Sequence, residues 1–182
     1  MDAEPERADL HTMSDTNQTV RCIALRSVAS LLMAGWASES RGGGNGEVDY
    51  PSLYRSWTHV KSAVIGPANP AYERYGGIHH IYANDNAMEG YRTGQFPDGA
   101  VIVFDLLQAN ETAGMTVEGP RKFIDVMAKD SKRFASSAGW GYEEFKGDST
   151  SERPLSEQAR TACYLCHARQ LGRDSVFSVF RK

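Results

Sequence analysis

The feature that most constrains this chain is the run Cys163-Tyr164-Leu165-Cys166-His167 near its C-terminus. Two thiols three positions apart can form thioethers with the two vinyl groups of one porphyrin, while the adjacent imidazole ligates the iron. A thioredoxin-like redox pair usually follows a βαβ pattern, which is absent, and a zinc site needs two further ligands where only scattered histidines remain. We therefore predict one covalent haem c, with Cys163 and Cys166 as thioether residues and His167 as the proximal axial ligand.

The N-terminal region has the pattern of a secretory signal. Two arginines precede an apolar run over residues 28–37, in which Gly35 and Ala37 form a small-x-small cleavage site. The run is too short to span a bilayer, which favours a removed signal over a membrane anchor. We predict a signal peptide region over residues 1–37, with an amphipathic N-terminal helix as the alternative.

The use of cysteine agrees with export. Of the three cysteines, Cys22 lies in the predicted signal and the other two are consumed by the haem, so no disulfide is predicted. Covalent haem attachment of this kind is completed outside the cytoplasmic membrane. We therefore expect a periplasmic or otherwise exported protein.

Composition predicts one domain behind a flexible leader. Residues 38–49 contain a glycine-rich stretch and are predicted to be the leader, while residues 50–182 form the haem c domain. Residues 38–182 carry 17 basic and 18 acidic side chains, so no basic excess suggests a nucleic-acid partner. No second apolar run suggests a membrane span after signal removal.

Hydrophobic patterning predicts a β-rich α+β fold, with an antiparallel sheet, short helices and a C-terminal haem-bearing helix. Alternation and β-branched residues predict strands at 59–65, 78–83, 100–107, 122–128 and 139–145. Helices are expected from Asn84 or Asp85 through Tyr91 and over residues 155–168, with Gly94 ending the first. One turn is expected between Gly114 and Gly119-Pro120.

The late position of the haem motif excludes two common architectures. Only 15 residues follow His167 and none is methionine, whereas class I cytochromes c place the motif early and draw a methionine ligand from downstream. The four-helix cytochromes c′ are excluded because residues 100–128 do not have a helical pattern. The sixth iron position is therefore either open or filled by an upstream residue.

Five sequence blocks before the haem motif support a family resemblance. They are Tyr-Arg-Ser-Trp at 54–57, Gly-Ile-His-His-Ile-Tyr-Ala-Asn at 77–84, Gly-Gln-Phe-Pro-Asp-Gly at 94–99, Lys-Asp-Ser-Lys-Arg-Phe at 129–134 and Gly-Trp-Gly-Tyr at 139–142. In this order, and with a late CxxCH, they resemble the cytochrome P-460 family, including the cytochromes c′-beta, over residues 50–180. The resemblance implies a mostly antiparallel β fold, a homodimer and a five-coordinate haem with an open distal face. It also implies oxidation of hydroxylamine through nitric oxide, or binding of nitric oxide and related gases.

One departure from the family pattern concerns lysine. In the hydroxylamine-oxidising members a lysine is cross-linked to the porphyrin, and the corresponding strand here carries His79 and His80 instead. Lys61 is the only lysine in the first half of the domain, some twenty residues earlier. We therefore predict that the cross-link is absent and that hydroxylamine turnover is weak or absent.

Four residues are candidates for the distal side of the haem. His79 and His80 are adjacent on a strand, so at most one can face the haem, where it could ligate iron, donate a hydrogen bond or shuttle protons. Arg55 could pair with a haem propionate or a distal anion, or could form a helix-surface salt bridge. Asp105 could be a distal base, although we expect it at the strand edge or facing outward.

Three functional classes follow from these residues. The first is a redox enzyme acting on hydroxylamine, NO or peroxide, and the second is a protein that binds NO. The third is an electron carrier, for which His79 or His80 would provide a sixth ligand. The basic cluster over residues 129–133 could dock an acidic redox partner protein, and a solvated turn is the alternative.

Overall fold

The computed structural model describes residues 47–181, which form a five-stranded antiparallel sheet with a few short helices. The strands are β1 (Thr58–Ile65), β2 (Gly77–Ala83), β3 (Val101–Thr112), β4 (Met115–Lys129) and β5 (Trp140–Lys146). The α-helices are α1 (Tyr72–Tyr75), α2 (Asp85–Thr93) and α3 (Glu157–His167), and single 3-10 turns lie at Tyr54–Ser56, Ala135–Ser137 and Ala168–Arg173. The predicted β-rich α+β fold is confirmed, with the CxxCH motif at the end of α3.

The five strands form a simple meander in the order β1-β2-β3-β4-β5. Residues directly opposite one another in neighbouring strands share a face. One cross-strand row of four residues, Ile81, Phe104, Asp125 and Glu144, marks what we call the front face. Another row, His80, Asp105, Ile124 and Phe145, marks the back face.

Each face of the sheet is covered by a different part of the chain. On the front face, α2, α3 and the C-terminal segment pack through Ala87, Cys163 and Val176 against a core that includes Trp140. On the back face, the segment before β1 packs through Val48 and Tyr54 against β3 to β5. The sheet therefore separates two apolar clusters, and only the front cluster includes the haem motif.

The helix before β3 begins and ends as predicted. Asn84 is its N-cap, and the Asn84 side chain accepts hydrogen bonds from the backbone N–H of Ala87 and of Val101 at 2.9 and 3.0 Å. Gly94 ends it in the left-handed region at φ 83°, which glycine adopts without a steric penalty.

The long β3–β4 hairpin differs from the prediction. Its turn is Ala113-Gly114, with φ values of 49° and 77°, in keeping with a two-residue hairpin loop. The predicted extension of this turn to Gly119-Pro120 is wrong, because both residues lie within β4. They lie where the register shifts between Leu107 and Ala109 of β3, and such a bulge tolerates a proline that lacks an N–H.

Within residues 47–181, no helix is long and apolar enough to cross a membrane. The predicted signal peptide region, residues 1–37, and most of the predicted leader, residues 38–46, lie outside the residues that the structure describes.

Candidate functional site

A cavity of about 850 Å³ lies between the front face of the sheet and α3. Cys163, Cys166 and His167 line it from the helix side. The opposite wall is largely apolar and includes Ile81 and Phe104. The volume falls within the range of roughly 300–1,000 Å³ typical of ligand and cofactor pockets.

Helix α3 presents the three motif residues to the cavity because of their spacing. Positions 163, 166 and 167 are three and four residues apart, so they share one face of an α-helix. Ser156 caps the start of the helix, and its hydroxyl accepts a hydrogen bond from the Ala159 N–H at 3.2 Å.

A buried charge cluster ties α3 to the sheet. Glu143 is 1% exposed and accepts hydrogen bonds from Arg160 of α3 at 2.8 Å and from Arg153 at 3.2 Å. Two guanidinium groups thus compensate one buried carboxylate, which satisfies the condition under which such a charge is stable inside a protein. The haem-motif helix is thereby held at a fixed place on the sheet.

His167 has the environment of a metal-binding imidazole. Its Nδ1 donates a hydrogen bond to the main-chain carbonyl of Ser175 at 2.9 Å, which assigns the proton to Nδ1 and leaves Nε2 with a free lone pair. The ring lies between Tyr142 and Phe177, at centroid distances of 5.2 and 4.9 Å. Burial lowers the pKa of His167, which favours the neutral form that a metal requires.

His79 lines the cavity from β2 and is the only one of the four predicted distal candidates to do so among residues 47–181. Its ring is stacked on Phe104 at a centroid distance of 4.6 Å. Its buried Nδ1 has no hydrogen-bond partner among the residues that the structure describes. Burial, with smaller contributions from Lys61 and His80, lowers the pKa of His79 to about 4, so the imidazole is neutral at pH 7.

His80 points to the back face, away from the cavity. Its Nδ1 is 2.6 Å from the Ser62 hydroxyl, and its Nε2 is 2.6 Å from a Glu118 carboxylate oxygen. A distal role for His80 is therefore not supported, because alternation along β2 places it opposite His79.

Asp105 and Arg55 also lie on the back face. Asp105 has no exposed surface, so the expectation that it faces outward is wrong. It accepts hydrogen bonds from Arg121 Nε at 2.6 Å, Tyr54 at 2.8 Å and Arg55 at 3.4 Å. These partners explain its burial, since they replace the water that the carboxylate loses. Neither residue lines the cavity. Arg55 therefore forms a partly exposed salt bridge with Asp105 and does not face the cavity.

The Lys61 side chain lines the cavity, although its distance along the sequence from His79 and His80 suggested that it would not. The register of β1 shifts between His59 and Lys61, which pair with the consecutive residues Tyr82 and Ile81. The extra residue, Val60, is a β-bulge, so Lys61 changes face relative to a regular strand. In a regular strand, residues i and i+2 share a face, so Lys61 would have been expected on the back face with His59.

Sequence analysis missed a carboxyl pair on the cavity wall. Asp125 of β4 lines the cavity and lies directly opposite Glu144 of β5, which is 6% exposed. Arg74 donates to Glu144 at 2.5 Å. Burial, and after it the charge of Glu144, raises the pKa of Asp125 well above its usual value. The sequence signal for this pair was Asp125 itself. It alternates with the apolar residues Phe123 and Met127 on one face of the predicted strand, where a carboxylate is unexpected.

Together these residues fit a flat, largely apolar, iron-containing cofactor. The cavity provides apolar walls, two thiols on one helix face and a neutral imidazole whose free nitrogen is available for a metal. The orphaned Nδ1 of His79 is a further polar atom that a bound group could satisfy.

A search of curated proteins found no match to the sequence. The sequence profile of the cytochrome P460 family, whose members are haem proteins, matches residues 51–178. That match covers the whole sheet, the cavity and the CxxCH helix, so the chain belongs to the cytochrome P460 family.

Proposed function

We propose that this chain is an exported mono-haem c cytochrome that binds or redox-converts small nitrogen species, such as NO and hydroxylamine, at an open iron face. The observation that carries the proposal is the single cavity wall from which both thiols and a Nδ1-protonated imidazole project. When bound, haem supplies an iron that exchanges electrons and binds small ligands.

The helix residues provide attachment and the proximal side. Cys163 and Cys166 would form the thioethers, and His167 would supply its free Nε2 to the iron from the same helix face. The hydrogen bond from His167 Nδ1 to the Ser175 carbonyl fixes the ring orientation and increases the basicity of the ligand.

The sheet residues provide the distal side and exclude water. Ile81 and Phe104 make the wall apolar, which favours small, weakly hydrated ligands over bulky polar ones. The neutral His79 imidazole is a hydrogen-bond donor within this wall, suited to a bound NO or a related ligand.

The Asp125–Glu144 pair supplies proton chemistry. Burial and the neighbouring Glu144 charge raise the pKa of Asp125, and Arg74 donates a hydrogen bond to Glu144. Asp125 therefore keeps its proton to a higher pH than an ordinary carboxyl group and can exchange it with a substrate whose redox conversion moves protons.

We further propose that no lysine is cross-linked to the porphyrin, because β2 carries no lysine. Lys61 is the one lysine lining the cavity among residues 47–181, so it is the residue to examine. Peptide mass mapping provides the test: a haem-bearing fragment joined to Lys61 contradicts this part of the proposal and makes hydroxylamine oxidation the expected activity.

The second candidate function is a six-coordinate electron carrier. It is favoured by one observation, the neutral His79 side chain with an unpartnered nitrogen on the cavity wall. A low-spin spectrum that does not respond to NO would select this alternative, whereas a high-spin spectrum that changes with NO supports the open site.

The central experiment is expression in a host that matures c-type cytochromes, followed by acid-acetone extraction and optical spectroscopy. Haem should remain with the denatured wild-type polypeptide, and the double variant Cys163→Ser, Cys166→Ser should be colourless or should lose its haem. His167→Ala should abolish the native spectrum, and added imidazole should partly restore it. Covalent haem in the double variant, or a normal spectrum in His167→Ala, would overturn the assignment.

Export and a homodimeric state complete the proposal. Both come from the sequence, through the predicted signal and the family resemblance. Fractionation of the expressing cells tests the first, and light scattering of the purified cytochrome tests the second.

A further inference from the structure

The turn after α3, at Asp174-Ser175, provides the acceptor for the proximal imidazole. The carbonyl that accepts the His167 Nδ1 hydrogen bond belongs to Ser175, which is 1% exposed. Asp174 and Ser175 have φ values of 47° and 66°, so two consecutive residues other than glycine adopt the left-handed region. Such residues are strained, and the strain persists only where surrounding contacts impose it.

Those contacts converge on Asp174. Its carboxylate lies 2.8 and 3.0 Å from Lys129 Nζ and accepts a hydrogen bond from the Phe96 N–H at 3.0 Å. Its main-chain carbonyl accepts a hydrogen bond from Trp140 Nε1 at 2.9 Å. The turn is therefore attached to β4, to β5 and to the segment after α2, three places far from it in sequence.

Lys129 is a buried member of this cluster. Its side chain is 11% exposed, donates to the Ala138 carbonyl at 3.1 Å and lies 5.0 Å from the centre of the Trp140 ring. Sequence analysis placed Lys129 in a basic cluster for docking a redox partner, and the structure shows it turned inward instead. An ammonium group that is buried and paired in this way holds parts of the fold together and is not available to bind a partner protein.

We propose that the Lys129–Asp174 pair is a positioning device for the proximal ligand, which sets the strength of the His167 Nδ1 hydrogen bond and through it the electron donation of the imidazole to the iron. The inference rests on the proposed ligation by His167. Within residues 47–181, His167 makes no hydrogen bond to Lys129 or Asp174, so both act only through the Ser175 carbonyl.

The test uses substitutions that separate charge from backbone strain. Asparagine tolerates the left-handed region and can still accept from Phe96, so Asp174→Asn removes the ion pair while retaining the turn. Lys129→Met removes the same pair from the other partner and leaves the Asp174 backbone unaltered. Lys129→Arg retains the charge and should restore the wild-type properties.

The measurements are the iron–histidine stretching frequency of the ferrous haem protein and its midpoint potential. In Asp174→Asn and Lys129→Met, the frequency should fall and the potential should rise, because a weaker hydrogen bond makes the imidazole a poorer donor. The concentration of exogenous imidazole that displaces His167 from the iron should fall about tenfold. Lys129→Arg should show none of these shifts.

The control is Asp105→Asn, which disrupts a more deeply buried ion-paired carboxylate on the back face. It should lower stability and leave the iron–histidine band unchanged. A five-coordinate ferrous wild-type protein without an iron–histidine band would refute the proposed ligation itself, and for a six-coordinate protein the midpoint potential is the readout. A wild-type band that stays unmoved in both Asp174→Asn and Lys129→Met would refute the positioning role alone.

Discussion

The two faces of the sheet bury polar groups in opposite ways. On the back face Asp105 is completely enclosed, and Arg121, Tyr54 and Arg55 supply its hydrogen bonds. On the front face His79 Nδ1 is buried without a partner in the described part of the chain, and Asp125 shares its place with a second carboxyl group. A satisfied network stabilises a fold, whereas incomplete pairing in a cavity marks a place where a ligand can complete it.

The same contrast applies to the tyrosines. Tyr54 on the back face donates to Asp105 at 2.8 Å. Tyr142 on the front face lies beside His167, and its buried hydroxyl has no partner within residues 47–181. Burial raises the pKa of both phenols, so both remain neutral, and the difference between them lies in hydrogen bonding.

The largest expected effect is on the back face. Asp105→Ala removes the buried acceptor of Arg121 and Tyr54 and leaves Arg121 with only the exposed Asp148 as an ionic partner, which should cost about 3 kcal/mol of unfolding free energy. Urea denaturation of the haem protein measures this loss, while the optical spectrum should stay unchanged. Asp148→Ala is the control, because Asp148 contacts the same arginine but is 81% exposed. A stable Asp105→Ala protein with altered ligand binding would contradict the claim that the back face stabilises the fold while the front face binds the ligand.

The next effect is at Asp125 and depends on pH. The pKa of Asp125 is raised above its ordinary 3.8, so the unfolded chain loses this proton at lower pH than the folded chain. The stability contribution is therefore complete below pH 3.8 and is lost as pH rises toward the folded pKa. Asp125→Asn should therefore be more stable than wild type at pH 7, and this gain should vanish near pH 3.

Activity should change in the opposite direction. Any proton-coupled turnover should fall roughly 100-fold in Asp125→Asn, because the cavity wall loses its exchangeable proton. Asp98→Asn is the control with the opposite pH trend, since hydrogen bonds from Ser131 lower the pKa of Asp98 and its contribution is lost as pH falls. Thermal denaturation between pH 3 and 7 distinguishes the two trends, and a loss of stability at pH 7 in Asp125→Asn would contradict the interpretation.

A smaller effect is expected at His79. His79→Phe preserves an aromatic ring against Phe104 and removes the unpartnered nitrogen, so stability at pH 7 should be maintained. A ligand such as NO should dissociate roughly fivefold faster, because one hydrogen bond is worth about 1 kcal/mol. Flash photolysis of the ferrous nitrosyl protein provides the measurement. A variant that converts a low-spin protein to high spin would instead identify His79 as the sixth ligand.

The smallest effect is expected at His80. Its partners Ser62 and Glu118 are exposed, so His80→Gln should change unfolding free energy by less than about 1 kcal/mol and leave ligand kinetics unaltered. Comparison with His79→Phe under identical conditions tests the separation of the two adjacent histidines. Equal effects on ligand dissociation would show that β2 is not oriented as described.

The elements with strong local signals were predictable from sequence. The apolar, β-branched run at residues 100–107, the Asn84 cap and the glycine stop at Gly94 all depend on nearby residues and match the structure. The motif face of α3 was likewise predictable, since its spacing and the helix period determine it.

The remainder depended on long-range pairing. The bulge at Val60 is visible only once β1 is paired with β2, and it changes the face of Lys61. Asp105 was expected to face outward because a charged residue in an apolar strand usually does, yet Arg121 from the neighbouring strand compensates it. The Asp125–Glu144 pair arises from the register of β4 with β5, which residue types alone do not specify.

The hydrogen bond between His167 and the Ser175 carbonyl also has an evolutionary consequence. The acceptor is a main-chain oxygen, so no side-chain replacement at position 175 can delete it. Replacements within the turn can therefore alter this hydrogen bond only by shifting the backbone. Under the proposed ligation by His167, the redox potential could then be tuned by residues distant from the haem while the ligand itself stays unchanged.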